Sequence, residues 1–219
     1  MIYSQQKKEK IMGCVGGKNK KNKKNEKGVR MSQSVEEKRK EKLKDVKIVL
    51  LGDTSVGKSS LVQRFCSDKF EDKYKITIGG AYLQKDVKLK NGNSLKLHIW
   101  DTGGQEKFRS MAELYYKESA AALLVYDVSN KESLESLDYW IKELNEKIDC
   151  NNYIICLVGN KCDIPNENKQ VTLAQGKNFS KEHNLPIFYE TSAKTGVGVK
   201  ELFSSLAQKV YEAQINEDQ

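Results

Sequence analysis

Apolar runs alternate with helical patterns along the chain from residue 46 onward. The first run is Val46 to Leu51, and three later runs, near residues 120–126, 153–158 and 186–189, each precede a helical pattern. Such nearly continuous hydrophobicity is typical of parallel strands that are covered on both faces. Apolar residues recur at helical spacing between Val199 and Val210, and this pattern predicts a final helix.

Two further extended segments, residues 81–90 and 94–100, are joined through the dipeptide Asn91-Gly92. An Asn-Gly turn between extended segments is typical of a hairpin, so this pair is predicted to be antiparallel. Apolar and polar residues alternate from Leu95 to Ile99, which gives the second segment one buried face. The whole pattern predicts a three-layer α/β fold: a six-stranded, mainly parallel sheet with one antiparallel edge strand and helices on both faces.

The region before residue 45 shows neither pattern. It is rich in Lys, Asn, Glu and Gly and has hardly any large apolar side chain after Met12. Such a segment cannot bury enough apolar surface to offset the entropy lost on ordering. We therefore predict a disordered basic extension over residues 1–44, one folded domain over residues 45–212 and a short polar tail over residues 213–219.

The charge is concentrated in the same extension. The chain carries a net charge of +8, but residues 1–45 alone hold 15 Lys and Arg against 6 Asp and Glu. The rest is therefore close to neutral, which argues against a nucleic-acid partner. No apolar run approaches the roughly 18 residues of a spanning helix, and the start lacks the apolar core of a secretion signal. We expect a cytoplasmic, monomeric protein.

One segment of the extension carries candidate lipid chemistry. Met12-Gly13-Cys14 precedes a run of lysines, and this order is typical of double acylation, with myristate on Gly13 and palmitate on Cys14. A single myristoyl chain binds a membrane weakly, with an association constant on the order of 10⁴ M⁻¹, so a second chain or a basic cluster is needed. A solvated basic tail remains the alternative, because Met12 is not the first residue and Gly17 stands where Ser or Thr is usual.

A glycine-bounded loop follows the first predicted strand and precedes a helical pattern. It reads Gly52-Asp53-Thr54-Ser55-Val56-Gly57-Lys58-Ser59 and fits the phosphate-loop motif G-x-x-x-x-G-K-[ST] in the strand-loop-helix context that the motif requires. Backbone N–H groups from Thr54 to Ser60 are expected to converge on an anion. We predict that Lys58 reaches the outer phosphates and that the Ser59 hydroxyl binds the Mg²⁺ of a nucleoside triphosphate, as in a P-loop NTPase.

Two later segments supply candidate groups around a third phosphate. Asp101, at the end of the second hairpin strand, is predicted to hold Mg²⁺ through water, and Thr77 to complete the magnesium shell with its hydroxyl. Gly104 can present its N–H to the terminal phosphate, and Gln105 has the length to orient an attacking water. Loss of that phosphate would release the Thr77 segment, which is how an order–disorder switch works.

The ends of the fifth and sixth predicted strands carry candidate base contacts. Asp163, in the sequence Asn160-Lys161-Cys162-Asp163, can accept hydrogen bonds from the N1–H and the exocyclic amine of guanine, a pair that adenine does not offer. Lys161 can lie across the base. The backbone N–H groups that can face the guanine oxygen belong to Ser192, Ala193 and Lys194. The sequence therefore predicts GTP and GDP as ligands.

In this order the five segments resemble the small GTPases of the Ras superfamily. Leu97 to Glu106, Phe108-Arg109-Ser110, Tyr115-Tyr116 and Leu124 to Asp127 are similar to the Rab family, and Thr77 to Tyr82 is similar to its endosomal branch. The likeness covers about residues 45–212. It implies a GTP-hydrolysing switch that regulates vesicle traffic on the cytosolic face of endosomal membranes, with an exchange factor, a GTPase-activating protein and effectors as partners.

The resemblance also implies roles for individual residues. It makes Ser59 and Thr77 magnesium ligands, Gln105 the water-positioning residue, Asn160, Lys161 and Asp163 the readers of guanine, and Phe70 the aromatic residue beside the base. Effectors would read an aromatic patch of Tyr82, Trp100 and Tyr115 in the GTP state, with ordinary core packing of these residues as the alternative. His98 and His183 are predicted to be surface residues without a role.

Several features depart from the family pattern. Gly103 replaces a usual alanine, Thr54 stands where Ser or Gly is frequent, and Tyr82 replaces a usual phenylalanine. The sequence lacks the C-terminal cysteines of typical Rabs, which makes it similar to the endosomal Rabs that use N-terminal acylation.

These departures keep a second hypothesis open. Gly103 and Thr54 allow a nucleotide-binding scaffold with little turnover, whereas Asp163 disfavours an ATP-dependent P-loop kinase. Since no arginine of the chain is evidently placed to act on the phosphates, hydrolysis is expected to be slow without an activating protein.

Overall fold

The computed structural model describes residues 45–72, 76–105, 112–148 and 153–217. All of these residues belong to one structural unit, Leu43–Gln219. The predicted extension with Gly13 and Cys14 lies outside the described residues, as do Phe108, Arg109 and Ser110.

Six strands form one sheet in the order β2-β3-β1-β4-β5-β6. The strands are β1 (Val46–Leu51), β2 (Gly80–Lys88), β3 (Ser94–Thr102), β4 (Ala121–Asp127), β5 (Ile154–Asn160) and β6 (Ile187–Glu190). β2 and β3 pair antiparallel, and every other pair of neighbours is parallel. The predicted six-stranded sheet with one antiparallel edge is confirmed.

Helices cover both faces of the sheet. They are α1 (Lys58–Ser67), α2 (Ala112–Tyr116), α3 (Lys131–Glu135), α4 (Leu137–Lys147), α5 (Leu173–Glu182) and α6 (Val199–Glu217), with a 3₁₀ turn at Asn166–Asn168. Successive strand residues point to opposite faces, so Ile48 packs in the cluster below α1 and α6, and Val49 in the cluster below α2 and α4. Burial on both sides explains the continuous apolar runs.

At the end away from the turn, both hairpin strands are longer than predicted. The turn at Gly92 (φ 84°) is closed by the Leu89 N–H, which donates to the Asn93 carbonyl over 2.7 Å. The pairing continues to Gly80 opposite Thr102, so β3 ends at Thr102 and not at Trp100. Asp101 therefore lies inside the sheet and is only 2% exposed.

The last helix also continues beyond its predicted end. Residues 213–217, expected to belong to a polar tail, extend α6 to Glu217. Ala213 packs against the core, and the Tyr211 hydroxyl accepts a hydrogen bond from Asn91 Nδ2 at 3.0 Å. These contacts with the body of the domain explain the longer helix. Across the described ranges, no helix has the length and apolarity needed to cross a membrane.

Candidate nucleotide site

A cavity of about 370 Å³ opens where β1, β3, β5 and β6 end, which is where ligands bind in open α/β sheets. Five predicted segments contribute to its wall. The predicted residues that line it are Thr54, Ser55, Gly57, Lys58, Ser59, Ser60, Phe70, Thr77, Gly104, Asn160, Lys161, Asp163, Ala193 and Lys194. Lining residues that the sequence did not single out are Gln63, Glu71, Asp72, Ile76, Thr102 and Ile164.

Four predicted site residues lie behind or beside this wall. Val56, Asp101 and Ser192 are buried, with 2%, 2% and 0% of their surfaces exposed. Gln105 is partly exposed and is the last described residue before the undescribed segment 106–111. Two of these buried residues bond to residues that line the cavity: Val56 to Asn160, and Ser192 to Asp163.

Two glycines of the site permit close approaches that a side chain would block. A Cβ atom on Gly57, which has φ 95°, would lie 2.4 Å from Nδ2 of Asn160. A Cβ atom on Gly104 would lie 2.5 Å from the carbonyl of Asp53 and the nitrogen of Thr54. The Gly104 loop therefore packs directly on the backbone of the phosphate loop.

Lys58 lies within the curve of that loop and is 5% exposed. Its Nζ donates to the carbonyl oxygens of Gly52 and Asp53 at 2.8 and 2.7 Å. Burial lowers the pKa of Lys58 to about 8, although the charges of Asp101 and Asp53 act in the opposite direction. A buried ammonium of this kind favours an anion beside it, because the anion offsets the cost of burying the charge.

The three predicted magnesium residues converge. The Ser59 and Thr77 hydroxyl oxygens lie 2.7 Å apart, and Ser59 also hydrogen-bonds to Asp101. Burial raises the pKa of Asp101, and the Ser59 hydrogen bond and the Lys58 charge offset this rise only in part. Among the described residues, Oδ1 of Asp101 has no hydrogen-bond partner. Two hydroxyls and a buried carboxylate with a spare oxygen fit a hydrated Mg²⁺, which prefers oxygen ligands.

Asn160 joins the two ends of the cavity. Its Nδ2 donates to the Val56 carbonyl at 2.9 Å, and its Oδ1 accepts from the Ala193 N–H at 3.2 Å and from the Thr191 hydroxyl at 3.3 Å. The side chain is 1% exposed and thus ties the phosphate loop to the loop after β6. Sequence reasoning assigned Asn160 to guanine and did not find this link.

The other two residues of the predicted guanine motif are held by neighbouring side chains. The Ser192 hydroxyl donates to Oδ1 of Asp163 at 2.6 Å. Lys161 Nζ lies 2.6 Å from Oδ2 of Asp127, whose Oδ1 accepts from the N–H and the hydroxyl of Ser129 at 2.9 and 2.7 Å. Asp127 was missed as a site residue. The available signal was an acidic residue at the carboxyl end of β4.

The three predicted effector residues form one aromatic row. The ring centroids of Tyr82 and Trp100 lie 5.5 Å apart, and those of Trp100 and Tyr115 lie 5.7 Å apart. Tyr82 is 48% exposed, whereas Trp100 and Tyr115 pack in part against the core. The Tyr82 hydroxyl hydrogen-bonds to Nδ1 of His98. The side chains of His98 and His183, both predicted to be surface residues without a role, are 24% and 29% exposed and lie beside Asp45 and Asp138.

A phosphate loop, a buried lysine and a hydroxyl-carboxylate cluster at the carboxyl ends of a mainly parallel sheet define a P-loop nucleotide-binding protein. A sequence model of the Ras family matches residues 47–212, and the chain belongs to this family.

Several individual proteins are similar to the chain over most of its length. The chain is 42% identical to the Ras-related protein Rab-5B of Plasmodium falciparum (isolate 3D7), over 91% of this chain and 94% of the relative. It is 45% identical to the GTP-binding protein ypt5 of Schizosaccharomyces pombe, over 75% and 77%, and 40% identical to human Ras-related protein Rab-22A, over 77% and 84%.

These findings define the class of activity. The chain is a GTP-binding and GTP-hydrolysing switch with GTP or GDP and the family's Mg²⁺ as cofactors. Its similarity to Rab5- and Rab22-type proteins assigns it to endosomal vesicle traffic. The predicted family and its endosomal branch are thereby confirmed.

Proposed function

We propose that this switch is operated by a magnesium centre made of Ser59, Thr77 and Asp101, which converts the presence of a third phosphate into order at the Thr77 segment. The single observation that carries the proposal is the 2.7 Å contact between the hydroxyl oxygens of Ser59 and Thr77. Ser59 lies in the first turn of α1, whereas Thr77 lies in the connection before β2 and outside regular secondary structure.

In this proposal, the chain's own groups position and neutralise the phosphates. Lys58 places a buried positive charge beside the loop backbone, where it would contact the outer phosphates. Gly104 packs on the backbone of the phosphate loop, where its N–H would contact the terminal phosphate, and Gln105 follows it with a side chain long enough to orient water. Mg²⁺, when bound, would supply charge that stabilises phosphate oxygens. The transfer itself needs little covalent help from the protein.

The Thr77 segment before β2 and the loop after β3 are linked by a backbone hydrogen bond. The N–H of Gly103 donates to the carbonyl of Gly79 at 2.8 Å. Ordering of the Thr77 segment would therefore also order the start of the loop that holds Gln105. Ile76 and Ile78, 52% and 83% exposed, lie on the same segment. We infer that effectors read these side chains together with the aromatic row of Tyr82, Trp100 and Tyr115.

Guanine selection is proposed to depend on Asp163, with Lys161 across the base and Phe70 beside it. Ser192 holds Asp163 by one oxygen, and Asp127 holds Lys161. A carboxylate fixed in this way can accept two hydrogen bonds from the Watson–Crick edge of guanine. ATP lacks both of these donors, which supports GTP over an ATP-dependent kinase activity.

Membrane attachment is proposed to occur through myristate on Gly13 and palmitate on Cys14. The lysine run that follows supports this, because one acyl chain alone binds weakly. The match to the Plasmodium Rab-5B covers 91% of the chain, and residues 45–219 make up only about four-fifths of it, so the similarity includes part of the extension. We also propose that the protein acts as a monomer.

The proposed centre can be tested by comparing Thr77→Ala with the matched control Thr77→Ser, which keeps the hydroxyl. Affinities for GTP and GDP are measured by competition against a fluorescent GDP, with Mg²⁺ in excess and again with a chelator. The proposal expects Thr77→Ala to lower the affinity for GTP, and to do so only when Mg²⁺ is present. Equal weakening of GTP and GDP, or equal behaviour of Ala and Ser, would contradict it.

A further inference from the structure

Arg64 makes an unusual set of contacts on the side of α1 that faces the guanine end of the cavity. Its Nε donates to the carbonyl of Ala193 at 2.8 Å, and its Nη2 donates to the carbonyl of Lys194 at 2.7 Å. Its Nη1 bonds to the carbonyl and the carboxylate of Asp68, both at 2.9 Å. The side chain is 17% exposed. All three guanidinium nitrogens are therefore used.

These bonds connect two elements that are far apart in sequence. α1 starts directly after the phosphate loop, and Arg64 lies in its last turn. Ala193 and Lys194 line the other end of the cavity. Asn160 already holds the Ala193 N–H, so this residue is fixed through its N–H by one side chain and through its carbonyl by another.

The bond from Arg64 to the Ala193 carbonyl fixes the direction in which the Lys194 N–H points. A peptide group is planar and trans, so its N–H points away from its carbonyl. When Arg64 holds the Ala193 carbonyl toward α1, the N–H of Lys194 in the same peptide group is directed away from α1. A guanidinium suits this task, because its planar fork can bond to three carbonyls and a carboxylate at once, whereas an ammonium acts as a point charge.

We propose that Arg64 is a positioning residue for guanine nucleotides: it fixes the peptide group between Ala193 and Lys194 so that its N–H is presented to the oxygen at C6 of the base. This inference rests on the proposed function, in which the loop after β6 closes the guanine side. Arg64 itself does not touch the nucleotide. It couples the phosphate-loop helix to base recognition and thereby slows nucleotide release.

The test compares the release of two ligands from the full chain with Mg²⁺ present. One is GDP, and the other is 6-thioguanosine diphosphate, which keeps the N1–H, the exocyclic amine and the diphosphate but carries at C6 a sulfur, a weaker hydrogen-bond acceptor than oxygen. The variants are Arg64→Gln and Arg64→Lys. The matched control is Lys85→Gln, because Lys85 Nζ also donates to carbonyls at the end of α1, those of Phe65 and Cys66, and is not bonded to the loop after β6.

Arg64→Gln is expected to speed GDP release about tenfold, as for the loss of charge-assisted hydrogen bonds, and to change release of the analogue by less than about twofold. Arg64→Lys should lie between the parent and Arg64→Gln, and Lys85→Gln should match the parent. Equal acceleration of both ligands would show a general loosening and overturn the proposal. Unchanged GDP release in both folded Arg64 variants would also overturn it.

Failure of the underlying assignment has a different signature. If the parent itself releases GDP and the analogue at the same rate, the C6 oxygen is not read by this loop, and the guanine role of residues 192–194 falls together with that of Arg64. If the parent distinguishes the two ligands and the Arg64 variants distinguish them equally well, only the inference about Arg64 fails.

Discussion

The hydroxyl oxygens of Ser59 and Thr77 lie 2.7 Å apart, although 18 residues separate them in the chain. Ser59 belongs to the first turn of α1, and Thr77 to the connection before β2. One ion or water can therefore be shared by a rigid element and by a segment without regular secondary structure. This is the arrangement that an order–disorder switch needs, since a ligand shifts only a state that it binds differentially.

The first prediction concerns Ser59 and Thr77. Thr77→Ala should weaken Mg²⁺-dependent GTP binding by roughly ten- to a hundredfold, because it removes a hydroxyl bound to a charged group. GDP binding should change little, because Thr77 is proposed to contact the third phosphate and its ion. Thr77→Ser should behave as the parent does. Competition against fluorescent GDP at fixed free Mg²⁺ measures all three.

The second prediction concerns hydrolysis. Gln105→Leu removes the amide proposed to orient the attacking water and should slow single-turnover GTP hydrolysis by roughly 10²-fold in the presence of an activating protein. GDP affinity serves as the internal control and should stay unchanged. A variant that is stimulated as strongly as the parent would refute the role of Gln105.

The third prediction concerns Gly103 and Gly104, which are neighbours with opposite tolerance. The backbone at Gly103 is outside the positive-φ region, so Ala can adopt this conformation and should raise the free energy of unfolding by about 0.4–1 kcal/mol by limiting the unfolded chain. Gly104→Ala should destabilise the domain, since its Cβ would lie 2.5 Å from the Asp53 backbone. Thermal unfolding of both variants distinguishes the two effects.

Gly103→Ala also tests the hypothesis of a scaffold with little turnover. If the added freedom of Gly103 makes the chain a poor enzyme, the Ala variant should hydrolyse GTP faster than the parent in single-turnover reactions. Equal rates in both would remove Gly103 as the basis of that hypothesis.

The fourth prediction concerns Asp127, which holds Lys161 at 2.6 Å. Asp127→Asn should weaken GDP binding roughly tenfold, because Lys161 loses its ion pair at a position where Asp127 is largely buried. Ser129→Ala removes only one hydrogen bond to the same carboxylate and should have a smaller effect. Calorimetric titration with GDP compares them, and equal affinities of Asp127→Asn and the parent would contradict the positioning role.

The fifth prediction concerns membrane attachment. Cells that express the full chain and are supplied with an alkynyl myristate should label the parent and Gly17→Ala, but not Gly13→Ala. Labelling of all three, or of none, would contradict acylation at Gly13 and favour a solvated basic tail.

Much of the site could be predicted from sequence because its motifs follow strands. The carboxyl ends of parallel strands meet at one edge, so Lys58, Asn160 and Asp163, which line one cavity, could be assigned to it from their motifs. The spacing of Leu95, Leu97 and Ile99 likewise predicted a strand with one buried face, and the Asn-Gly turn predicted its partner.

The contacts that support the site could not be predicted in the same way. Asn160, Asp127 and Arg64 act through side chains that bridge separate loops, and no local pattern indicates how far such a side chain reaches or which carbonyl it meets. The extension of β3 through Thr102 depends on pairing with Gly80, which is a tertiary property. The length of α6 depends on packing of Ala213 against the core.

Hydrogen exchange at the Thr77 segment tests the switch most directly. The full chain is loaded with Mg²⁺ and either GDP or a non-hydrolysable GTP analogue, and amide exchange is followed in residues 76–80 and 103–105, with residues 94–100 of β3 as the internal reference. We predict that the analogue slows exchange in both loops relative to GDP and leaves β3 unchanged. Identical exchange in the two nucleotide states would contradict a switch built on Ser59 and Thr77.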